Sequence, residues 1–71
     1  MKNVMEMFTS ETQLIQAESA FDVAMTRIKT MFPKANEDSY HDKLWNNIAL
    51  SVINDGYDAA MDYARNACFT V

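Results

Sequence analysis

The segment Glu37-Asp38-Ser39-Tyr40-His41-Asp42-Lys43-Leu44-Trp45 holds the densest group of polar and aromatic side chains in this 71-residue sequence. On a helix, Glu37 and His41 stand at i, i+4 and Asp38 and His41 at i, i+3, so a carboxylate and an imidazole share one face. Such a pair suits a transition-metal ion, but a stable site needs at least one or two further ligands. With one His and one Cys in the chain, those ligands would have to come from a second copy. The expected reading is an exposed first helical turn, its acidic residues placed on the positive end of the helix. No metal or other cofactor is expected.

Cys68 and His41 are the other pairing that could do chemistry, as nucleophile and base. That pairing needs contact and a third group to orient the base. Cys68 falls in what reads as a last helical turn, followed only by Phe69, Thr70 and Val71, and reads as a small apolar helix-end residue. Gly56 is the sole glycine, so there is no glycine-rich loop to cradle a phosphate. No catalytic residue is assigned and no enzymatic activity is expected.

Two acidic strips offer binding rather than catalysis. Asp55, Asp58 and Asp62 are spaced i, i+3, i+7, one face of a continuous helix; Glu11, Glu18 and Asp22, spaced i, i+7, i+11, form a second strip nearer the N-terminus. Such strips are commonly solvated helix backs. Their functional reading is a docking face for a partner with a basic surface, assigned to Asp55, Asp58 and Asp62. The aromatic and aliphatic residues Tyr40, Leu44, Trp45, Ile48, Leu50 and Tyr63 are the interface candidates, because Tyr and Trp bring large apolar area with a polar handle. Phe69 belongs with them, whereas Phe21 and Phe32 are expected in the core.

The elements that must position these groups are helical. A single Gly and a single Pro argue against a turn-rich β fold, and six Met favour helix. Leu14, Ala17, Phe21, Ala24, Ile28 and Met31 recur at alternating intervals of three and four, one stripe of an amphipathic helix. Ser10 and Gln13 read as a capping box at its start, and Pro33 stops it. The spacing thus predicts a helix over about 10–32, a loop over 33–37, and helix again from about 38. There Leu44, Trp45, Ile48, Ala49, Leu50, Val52 and Ile53 cover nearly every face, so that segment should be buried on more than one side.

Asn54-Asp55-Gly56 could end one helix and cap another. However, Leu50, Ile53, Tyr57, Ala60, Ala64 and Ala67 keep their three-four spacing straight through it. The unbroken phase favours one long helix over about 38–68, bent at Gly56, and hence an antiparallel helical hairpin. A break near Gly56 would instead give a compact three-helix bundle. Phe21-Asp22, Ala24-Met25 and Lys29 also echo Tyr57-Asp58, Ala60-Met61 and Arg65 at a constant offset of 36. Shared helical patterning accounts for most of that likeness.

Composition bounds what such a domain can do. A chain of 71 residues makes one domain, here 1–71, and at this size roughly 60% of the unfolded surface is buried. Small domains commonly add a disulfide, a metal or a partner subunit, and one cysteine rules out an internal disulfide. Self-association is therefore expected, two hairpins closing into a homodimeric four-helix bundle. Six Lys plus Arg against ten Asp plus Glu, net charge −4, disfavour tracking along phosphates, so no direct nucleic-acid binding is expected. The opening MKNVMEMFTS is neither a signal peptide nor a membrane span. It reads as the start of a small complete reading frame, with a cytoplasmic location expected.

The function expected is a small acidic helical interaction module: an adaptor, inhibitor or regulator, of the kind common among accessory proteins of phages and other mobile elements. The alternative is an oligomeric small-ligand-binding protein with a pocket among Tyr40, His41, Trp45 and Arg65.

Overall fold

The computed structural model of the chain describes residues 8–67. Helix α1 spans Glu11–Met31, α2 His41–Asp55 and α3 Tyr57–Arg65, with a single 3-10 turn at Glu37–Ser39 between α1 and α2. Each helix packs against the other two. The architecture is an all-α three-helix bundle, and no strand occurs among the described residues. No helix among them is long and apolar enough to cross a membrane.

Local chemistry explains where α1 begins and ends. Ser10 is its N-cap, in extended conformation, and its hydroxyl accepts the Gln13 N–H at 3.3 Å. The Gln13 side chain reaches one residue beyond the cap: its Oε1 accepts from the Thr9 backbone N–H at 2.8 Å and from the Thr9 hydroxyl at 2.9 Å. The motif is therefore a displaced capping box. At the other end Phe32 closes the last turn on the Ile28 carbonyl, at 2.8 Å, and Pro33 prevents continuation. Asn36 then organises the linker. Its side-chain oxygen accepts the Asp38 N–H at 3.1 Å, and its carbonyl accepts the Ser39 hydroxyl at 2.6 Å.

The single long helix expected over 38–68 is corrected by the structure. Gly56 adopts φ 94 and ψ 171, a backbone conformation that residues with a Cβ rarely take. That one residue separates α2 from α3. α3 folds back so that the Asn47 amide donates to the Tyr63 hydroxyl at 3.2 Å. Heptad phase reports which side chains share a face; it does not report whether the helix axis runs straight. Burial decides the outcome. A straight helix would leave much of the apolar surface of α2 in water, and the returning α3 covers it.

The core shows the result. Ala17, Ala20, Ala24 and Ile28 of α1 meet Leu44, Ile48 and Val52 of α2 and Ala60 and Ala64 of α3. The alanines let α1 and α3 approach closely. The outer ends of the two matching stripes do not enter this core: Met31 and Leu50 are exposed.

Candidate functional site

Helix geometry brings four rings into one run. His41 and Trp45 stand one turn apart on α2, and Phe21 of α1 fits against both. Phe21 meets His41 edge-on at 5.0 Å between ring centroids and Trp45 edge-on at 5.3 Å. Phe8, just before α1, lies 6.2 Å from Trp45, its ring tilted at 57°. Phe21 was expected simply in the core. The i, i+4 pairing of His41 and Trp45 was the available signal that one ring from α1 would dock between them.

This run borders an open, shallow depression lined by Glu18, Phe21, Asp22, Met25, Glu37 and His41. Its carboxylates do not converge on the imidazole. Glu37 turns to Lys29, with Oε1 3.4 Å from Nζ, and His41 Nδ1 lies 3.1 Å from Oδ1 of its neighbour Asp42. Among the described residues, no three His, Cys, Asp or Glu side chains are grouped to hold a metal ion. The depression includes neither Tyr40, Trp45 nor Arg65. Cys68 and Phe69, and the last turn assigned to them, lie outside the described residues.

The six interface candidates separate into two groups. Tyr40, Leu44 and Ile48 are buried within the single chain, and Trp45 is half-buried against Phe8 and Phe21. The surface that a hairpin would have left for a second copy is occupied by α3, which corrects the basis on which these four were expected at an interface. Leu50 and Tyr63 are exposed. They sit on α2 and α3, where the Asn47–Tyr63 hydrogen bond joins the two helices.

The expected acidic strip is also divided. Asp55 is the last residue of α2, whereas Asp58 and Asp62 lie one turn apart on α3, and all three are exposed. Because Gly56 turns the chain, Asp55 does not share a helical face with the other two. On α1, Glu11, Glu18 and Asp22 are exposed as a second acidic face. Ile15, 60% exposed, interrupts it. Among the described residues, Lys29–Glu37 is the one pairing of a lysine or arginine with a carboxylate. Among the described residues, Glu11, Glu18, Asp22, Asp58 and Asp62 thus carry charge without a cationic contact.

No family model, curated protein or solved structure matches this chain.

Proposed function

We propose that the chain is a small acidic interaction module that docks through its carboxylate-bearing helix faces onto a basic surface of a partner protein, acting as adaptor, inhibitor or regulator. The observation that supports this reading is the set of exposed carboxylates on α1 and α3 that have no cationic partner among the described residues. An excess of one charge on a rigid helical frame speeds encounter with an oppositely charged surface and fixes the register of the complex. α3 is the favoured face, because Asp58 and Asp62 stand one turn apart with the exposed Tyr63 beside them.

The test compares two paired variants in affinity capture from the native host, at low and at high salt. Asp58→Ala with Asp62→Ala should keep the melting temperature and weaken capture on the order of tenfold, as expected for charge pairs at an interface. Glu18→Ala with Asp22→Ala serves as the comparison on α1. The expected partner carries a basic face and binds less tightly as salt rises. Capture that is insensitive to salt and to both paired variants would sink the reading.

A further inference from the structure

The junction between α2 and α3 has properties that bear on a second copy of this chain. It is one residue long: α2 ends at Asp55 and α3 begins at Tyr57. Gly56, at φ 94, is the one residue with positive φ among those described. Its N–H donates to the carbonyls of both Ser51, at 3.1 Å, and Val52, at 3.2 Å, and its own carbonyl accepts the Ala60 N–H at 3.2 Å. No side chain caps the start of α3, so the N–H groups of Tyr57, Asp58 and Ala59 lack the helical acceptors that a straight continuation would supply from Ile53, Asn54 and Asp55. Asp55 also lies at the negative end of the α2 dipole, with no basic residue in that last turn. The uncapped N–H groups of α3 and the carboxylate at the end of α2 favour a straight helix, and the apolar phase runs through the junction without a shift; Gly56 and its own hydrogen bonds favour the turn.

What holds α3 back is the core it completes. Ala60 and Ala64 are buried together with Ala17, Ala20 and Ala24 of α1. A second copy's α3 presents the same face. We infer that the chain can exchange α3 with a second copy, Gly56 straightening so that α2 and α3 become one helix and each α3 packs on the partner's α1 and α2. Every contact between helices is then kept, now across two chains related by a two-fold axis. The exchange adds helical hydrogen bonds at two junctions; against it stand the cost of placing a glycine inside each helix and the entropy of joining two chains. The Asn47–Tyr63 contact marks the difference. It lies within one chain in the closed form, whereas in a straight helix these two residues of one chain are separated by roughly 24 Å.

Gly56 supplies a clean test, because a Cβ built there meets nothing within 4 Å. Substitution acts through the backbone and not through a clash. Gly56→Ala penalises the positive φ and favours helix, so it should raise the dimer association constant about tenfold or more. Gly56→D-Ala, introduced by chemical synthesis, prefers positive φ and opposes a right-handed helix, and should lower it by about as much. Sedimentation measures both. The geometry is read by adding Asn47→Cys and Tyr63→Cys in a Cys68→Ser background and treating with a short bifunctional maleimide. The product should link two chains with Gly56→Ala and one chain to itself with Gly56→D-Ala. A Gly56→Ala chain that stays monomeric to millimolar concentration overturns the inference. So does one whose dimers carry the link within a single chain.

Discussion

Arg27 of α1 donates its Nε proton to the backbone carbonyl of Ala67 at 2.9 Å, across forty residues of chain. This bond ties the C-terminal part of the longest helix to the segment that follows α3. The acceptor is a carbonyl just past a helix end, where intrahelical donors have run out and a cation is favoured. Arg27→Ala should destabilise the fold by about 1–2 kcal/mol, the range for a charge-assisted hydrogen bond with partial exposure. Arg27→Lys should recover only part of it, because a point charge on a flexible stem lacks the planar Nε–H. Urea denaturation of the three proteins checks this, and equal midpoints would show that the bond contributes nothing.

The ring run gives a second prediction. Trp45 packs against both Phe8 and Phe21 but is only half-buried. Trp45→Ala should therefore cost about 2–3 kcal/mol, below the range for a fully buried aromatic. Phe8→Ala, which removes one side of the run, should cost less. Thermal melts by circular dichroism order the variants; a larger loss for Phe8→Ala than for Trp45→Ala would contradict the arrangement.

The alanine contact between α1 and α3 predicts an effect of opposite kind. Ala20 and Ala24 are fully buried, and no vacant volume is needed to explain their size: small side chains are what allow the helices to approach. Ala24→Leu adds three carbons to this contact and should destabilise by about 1–3 kcal/mol through forced displacement. Ser19→Ala, on the exposed side of the same helix, should change stability by less than about 0.5 kcal/mol. A stabilising Ala24→Leu would mean that the helices stand further apart than described.

Much of this was readable from residue types. The Ser10 cap, the Pro33 stop and the three-four stripe define α1, because each acts over a few neighbouring residues. The all-round apolar character of 44–53 correctly required a second covering layer. The source of that layer was harder to read. Gly56 sits in an uninterrupted pattern, and a single left-handed residue redirects the chain without altering the pattern on either side. The consequence for the docking face was direct: Asp55 parted from Asp58 and Asp62, and Leu44 and Ile48 went into the chain's own core. The exposure of Asp58 and Asp62 was legible, since a carboxylate without a partner stays in water. The Arg27–Ala67 and Asn47–Tyr63 contacts were not, because both depend on where α3 returns.

Ile48 and Leu50 put that last point to a quantitative test. They are two residues apart in one apolar run, similar in size, and indistinguishable by hydrophobicity alone. In a straight-helix hairpin both were expected at an interface between copies. In the three-helix bundle Ile48 is 0% exposed and Leu50 is 37% exposed, because α3 covers one and leaves the other at its edge. Ile48→Ala should accordingly cost about 2–5 kcal/mol, the range for truncating a buried aliphatic side chain. Leu50→Ala should cost about 1–2 kcal/mol, since over a third of that residue is already in contact with water. Denaturation at several protein concentrations separates this from association: the Ile48→Ala loss should be independent of concentration, as fits a core within one chain. Equal losses at both positions, growing with dilution, would place both side chains at a contact between chains and return the molecule to the hairpin arrangement.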